Sequence, residues 1–216
     1  MYAIDFGTSN TVVTRLSAQT QQPETLSLLG LSVQQKGNPA LIPSLLYVEQ
    51  MTADAASSQV IAGQAVRDRG LDIANTPRFF RSFKRGIGTS VQGFIPELDG
   101  QVPSFEQIGS CFLQQVIGRI KAQDPDCDSL VLTVPVDSFE AYRIWLEQVC
   151  QSLDIAQVRL IDEPTAAALG YELSAEQKTV LVVDFGGGTL DFSLVQLAGN
   201  SATDHMPTGF LLCWGK

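Results

Sequence analysis

Two segments near opposite ends of the chain share one plan: Ile4-Asp5-Phe6-Gly7-Thr8-Ser9-Asn10 and Val183-Asp184-Phe185-Gly186-Gly187-Gly188-Thr189. Each is an apolar strand, then Asp, Phe, Gly and hydroxyl residues. Strand-forming runs flank both, Tyr2 to Phe6 with Thr11 to Leu16, and Thr179 to Asp184 with Leu190 to Leu197, so each unit reads as a β-hairpin. A repeated unit predicts two related halves facing each other across a cleft. Gly-rich turns let backbone N–H groups approach an anion without a Cβ in the way, and neighbouring hydroxyls can add hydrogen bonds to phosphate oxygens. An Asp ending each first strand would put two carboxylates near those phosphates, where they could hold Mg²⁺ through its retained waters. For one turn alone, simple hairpin closure by Gly, with Asp5 or Asp184 at its start, is as good an account. Two matching turns favour phosphate binding. Other phosphate loops are excluded, because no G-x-x-x-x-G-K-S/T occurs and Gly186-Gly187-Gly188 lacks the G-x-G-x-x-G helix entry.

Between the hairpins, Leu41 to Val48 reads as one strand whose Pro43 suits an edge. From Met51 to Gly100 the pattern weakens into Gly, Ala, Arg and Ser. Phe79, Phe80, Phe83 and Phe94 mark this stretch as an inserted subdomain with short helices rather than a linker. Phe105, Ile108, Phe112, Val116 and Ile120 then fall on one helical face, and Ser129 to Val134 is a strand ending at Pro135. Tyr142, Trp145, Leu146, Val149 and Cys150 repeat the helical stripe, which reads as core packing. Val158 to Ile161 is a strand, and Pro164 opens a helix at its preferred first position. Alternating helices and strands with a hairpin at each end predict an α/β fold with a mixed sheet.

A net charge of −9 argues against a nucleic-acid or anionic-membrane surface. The N-terminus lacks a basic stretch and a cleavage pattern, and no apolar run reaches spanning length, so no membrane and a cytoplasmic location are expected. Cys111, Cys127, Cys150 and Cys213 are scattered, and His205 is the only histidine, so idle thiols are expected rather than a zinc site or a His-based dyad.

Asp5-Phe6-Gly7-Thr8-Ser9-Asn10 and Asp184-Phe185-Gly186-Gly187-Gly188-Thr189-Leu190-Asp191 resemble the two phosphate motifs of the actin-like ATPase superfamily. Asp162-Glu163-Pro164-Thr165-Ala166-Ala167-Ala168-Leu169-Gly170-Tyr171, Phe83-Lys84-Arg85-Gly86-Ile87-Gly88 and the run from Val134-Pro135 to Arg143 narrow the resemblance to heat-shock protein 70 (DnaK-like) chaperones. It implies a ribonuclease H-like lobe I over residues 1–177, with the inserted subdomain at about 37–103 and lobe II opening at 178–216. It also implies ATP or ADP as ligand, with Mg²⁺ and K⁺. Lys84 and Glu163 would then sit beside the γ-phosphate and position or activate the attacking water; read alone, Lys84 is a solvated charge and Glu163 a favourable acid at a helix N-terminus. Asp184 and Thr189 would join them at the catalytic centre. Asp5 and Asp184 would hold Mg²⁺ through water, and Asp191 would assist through water or a monovalent cation. Thr8, Ser9, Asn10 and Thr189 would meet phosphates, with Gly7, Gly186, Gly187 and Gly188 giving close backbone approach; local turn hydrogen bonds are the plainer role for the hydroxyls. Pro135 and Arg143 match the family's proline switch and its partner arginine, which relay nucleotide state between domains.

Ser9 stands where the family commonly has Thr, which keeps the hydroxyl. The adenosine-binding motif, most of lobe II, the linker and the peptide-binding domain have no counterpart before Lys216, so a truncated, weakly active or inactive fragment is expected. The resemblance implies a J-domain co-chaperone, a nucleotide exchange factor and unfolded polypeptide clients as partners of the parent protein. The unfinished edges of lobe II would allow self-association. An MreB-type actin-like filament ATPase is the alternative, with similar phosphate motifs.

Overall fold

The computed structural model describes residues 1–33, 38–90, 93–136, 140–171, 179–187, 189–197 and 209–213. Gly188, Lys178, His205 and the polar stretch 199–204 lie outside the described residues. Strands β1 (Tyr2–Phe6) and β2 (Asn10–Leu16) form the first hairpin, followed by β3 (Pro23–Thr25) and β4 (Ile42–Pro43). Next come β5 (Leu45–Gln50), β6 (Gln59–Ala62), helix α1 (Gln64–Asp68) and β7 (Phe79–Arg81). An alternating stretch follows: α2 (Phe105–Gln123), β8 (Ser129–Val134), α3 (Glu140–Ser152), β9 (Gln157–Asp162) and α4 (Glu163–Gly170). The second hairpin is β10 (Thr179–Phe185) and β11 (Leu190–Leu197), joined by β12 (Gly209–Cys213).

The principal sheet runs β3-β2-β1-β8-β9, with β4 also on β2. It is mixed, since β1 pairs antiparallel with β2 but parallel with β8, and β8 parallel with β9. Its inner face follows from the two-residue period of a strand: Tyr2, Ile4 and Phe6 alternate inward, as do Leu130, Leu132 and Val134. Against that face lie the two predicted helical stripes. Ile108, Phe112, Val116 and Ile120 of α2 are fully buried, and all five stripe residues of α3 are buried. α2 starts at a capping box in which the Ser104 hydroxyl accepts from the Gln107 N–H and the Gln107 side chain accepts from the Ser104 N–H. Phe6 sits at the centre, its ring 5.7 Å from Phe112, 6.2 Å from Phe83 and 6.4 Å from Trp145.

The run Leu41 to Val48 is not one strand. It breaks at Ser44, so that β4 edges the principal sheet while β5 becomes the middle of a separate antiparallel sheet, β6-β5-β7. The cause is Ser44 itself: its N–H donates to the Ser9 carbonyl at 2.9 Å and its hydroxyl to the Gly7 carbonyl at 2.7 Å, which turns the chain there. Of the four phenylalanines between 79 and 94, Phe80 and Phe83 are buried, whereas Phe94 is exposed. Pro164 takes the second helical position, because α4 begins one residue earlier, at Glu163. On β10 and β11, Leu181, Val183, Phe185, Phe192 and Leu194 form an uncovered apolar surface, while Ser193 and Val195 are buried.

Candidate active site

The turns after β1 and β10 face each other across a cleft of about 600 Å³. Asp5, Gly7, Thr8, Ser9 and Asn10 line one wall, Asp184, Gly186, Gly187 and Thr189 the other, and Lys84, Glu163 and Thr133 also border it. Glycine is required in both turns. A Cβ on Gly7 would run into the Asn10 carbonyl, and one on Gly187 would overlap the Ser9 hydroxyl and lie 2.8 Å from Ser9 Cβ. The second turn is closed by the Gly186 N–H donating to the Thr189 carbonyl at 2.9 Å.

Lys84 is drawn inward by its neighbours rather than left in solvent. Ser82 adopts a left-handed backbone (φ 54°), Phe83 plugs the core, and Gly86 allows the Phe105 ring to press where a Cβ would otherwise be. Gly88, with φ +73°, lets the same segment lie against the Tyr142 backbone. Lys84 is therefore only 8% exposed, and its Nζ donates to Glu163 Oε1 at 2.6 Å and lies 5.7 Å from the Phe6 ring centre. Glu163 reaches the same place because β9 runs into α4 with no intervening loop. Burial pushes the Glu163 carboxyl above the usual carboxylate range, Lys84 pulls it back, and Asp5 and Asp184 push it up again.

Each carboxylate of the cleft has a distinct setting. Asp5 Oδ1 accepts from the Thr133 hydroxyl at 2.7 Å. Asp184 faces Asp191 across the β10–β11 pair, but Asp191 does not line the cleft. Among the described residues no three His, Cys, Asp or Glu side chains converge into a metal cage. Two carboxylates flanking glycine turns suit a hard cation that keeps most of its ligands as water and phosphate, the habit of Mg²⁺. Pro135 and Arg143 stand outside the cleft, yet Arg143 donates to Asp162 Oδ1 at 2.8 Å, next to Glu163 in the chain. That contact explains why Asp162, at the helix N-cap position, makes no side-chain capping bond. The buried thiols of Cys111 and Cys150 are pushed up to about 11 and about 12 by desolvation, so neither is a nucleophile at neutral pH.

Three residues at the site or beside it went unrecognised in the sequence. Ser44 was visible only as a small hydroxyl residue inside an apolar run, Thr133 had no signal of its own, and Tyr142, which packs beside the site, read only as part of a core stripe.

A family model described as Hsp70 protein matches residues 60–202. The chain is also 29% identical to the chaperone protein HscA of Escherichia fergusonii and 28% identical to an HscA homolog of Shewanella putrefaciens. An HscA homolog of Pseudoalteromonas atlantica is 29% identical. Each alignment covers 90% of this chain and 32% of the relative, so the chain spans about a third of the length of these curated relatives.

Proposed function

The chain belongs to the Hsp70 protein family, and from that premise we propose that it forms the phosphate-holding part of a domain that binds and hydrolyses ATP in a molecular chaperone. The observation that carries this reading is the buried Lys84–Glu163 pair set between two matching glycine turns. In this reading Thr8, Ser9, Asn10 and Thr189 donate to phosphate oxygens, and the glycines let backbone N–H groups come close. Lys84 offsets charge developing on the transferred phosphoryl group, and Glu163 orients the attacking water. Mg²⁺, held through water by Asp5 and Asp184 with Asp191 assisting beside K⁺, would neutralise phosphate charge. Arg143, through Asp162, links the α3 helix to the residue before Glu163, and in this reading Pro135 relays nucleotide state with it.

The relatives are chaperones by name, and membership of their family favours the chaperone reading over an MreB-type filament. A J-domain co-chaperone, an exchange factor and polypeptide clients would act on the whole protein, in the cytoplasm. Gly187→Ala tests the cleft. The added methyl collides with Ser9, so affinity for Mg²⁺-ADP by calorimetry should fall tenfold or more, about 1.4 kcal/mol or greater. Unchanged affinity would remove the second turn from the site.

A further inference from the structure

Tyr142 is 3% exposed, yet its hydroxyl is buried with no hydrogen-bond partner among the described residues. A buried hydroxyl without a partner carries the full penalty of its lost hydration, so a folded chain rarely leaves one dry. The ring is fixed: it packs 5.4 Å from Trp145, and the Tyr142 backbone is clasped by Gly88 on the segment that carries Lys84. The groups facing it electrostatically are the carboxylates of Glu163 and Asp5, and no hydrogen bond joins it to either. Burial and those two negative charges raise its ionisation well above the ordinary phenol value, so the hydroxyl keeps its proton and acts only as a neutral donor at working pH. Tyr142 is also tied to the Glu163 neighbourhood in the chain, since the next residue, Arg143, bonds Asp162, which precedes Glu163. A buried donor without a partner beside such carboxylates is the setting in which a single buried water makes bonds to otherwise unpaired groups.

We propose that Tyr142 is a positioning residue of the cleft, its hydroxyl donating to a buried water that in turn donates to the Glu163 carboxylate. The inference rests on the reading of Glu163 as the group that orients the attacking water. Tyr142 does not line the cleft, so it acts through Glu163 and not on the nucleotide. Glu163 is then held from two sides, directly by Lys84 and through water by Tyr142, with Asp5 and Asp184 as the opposing charges.

The test is Tyr142→Phe in this chain, which removes one oxygen and keeps the ring. A crystal structure of the parent chain should show a water within hydrogen-bonding distance of both Tyr142 Oη and the Glu163 carboxylate, and the variant should lack it. Carbon-13 NMR titration of the Glu163 carboxyl should show its pKa rising by about half a unit to one unit in the variant, as one donor to the ionised form is lost. The melting temperature should fall slightly at neutral pH, where the ionised Glu163 loses a donor, and recover in acid; a merely structural hydroxyl would lower it equally at both and leave the Glu163 titration unmoved. A dry gap in the parent structure, or a Glu163 titration unchanged by the substitution, overturns the proposal. Neither readout requires nucleotide, so a parallel Mg²⁺-ADP titration of both proteins judges the nucleotide reading separately.

Discussion

Lys84→Ala should destabilise this chain by about 2–3 kcal/mol at neutral pH, toward or just below the lower end of the range for breaking a buried ion pair because Glu163 keeps a quarter of its side chain in solvent. The loss comes mainly from Glu163, which is left in a desolvated pocket facing Asp5 and Asp184 with nothing to offset its charge. The sign of the pH dependence follows. Removing Lys84 raises the Glu163 pKa further, and a group with a raised folded pKa costs stability as pH rises through that value. The deficit of the variant should therefore be full at neutral and alkaline pH and shrink in acid, where Glu163 takes up a proton. Adding Glu163→Gln should restore much of the stability at neutral pH. Urea unfolding of the two variants across pH checks this, and a deficit that grows in acid would contradict it. Placed in a complete nucleotide-binding domain, Lys84→Ala should cut ATP turnover about a hundredfold or more while leaving nucleotide affinity largely intact. Turnover at the parent rate would remove Lys84 from the chemistry.

Phe6→Ala should cost about 3–5 kcal/mol, the range for deleting a fully buried aromatic ring. That is a large share of the roughly 5–15 kcal/mol available to a folded domain. The ring touches both scaffold and site. It stacks against Phe112, meets Phe83 and Trp145, and lies beneath the Lys84 ammonium. Its place in the chain, between Asp5 and Gly7, makes it the packing anchor of the first turn. Phe6→Leu keeps most of the apolar volume and should lose far less, about 1–2 kcal/mol. Denaturant midpoints measure both, and a loss of no more than about 1 kcal/mol for Phe6→Ala, that of an ordinary substitution, would show that the ring is not an anchor of the core.

Much of this architecture was legible because it is written in local pattern. Alternation in Tyr2-Ala3-Ile4-Asp5-Phe6 gives a strand with one buried face, and the three- and four-residue spacing of Ile108, Phe112, Val116 and Ile120 gives a helix with one buried stripe. The duplicated Asp-Phe-Gly turns mark both walls of the cleft in the sequence itself. What escaped was set by long-range contacts. Thr133 matters through Asp5, 128 positions away, and Ser44 through the Gly7 carbonyl, 37 positions away. The β6-β5-β7 sheet was missed because β6 and β7 are four and three residues long, too short for alternation to register. Lys84 resembled a surface charge because its neighbours Arg81 and Arg85 are exposed. Only packing of Phe83 and the tight approaches at Gly86 and Gly88 turn it inward.

The most direct measurement of the central claim is calorimetric titration of this chain with Mg²⁺-ADP, followed by an ATPase assay on the same sample. The chain holds both glycine turns, the Lys84–Glu163 pair and the two acidic residues, but spans about a third of its relatives' length. Weak, saturable binding with little or no turnover is the predicted result. No detectable binding at any concentration would contradict the account, because the two facing glycine turns would then hold no phosphate.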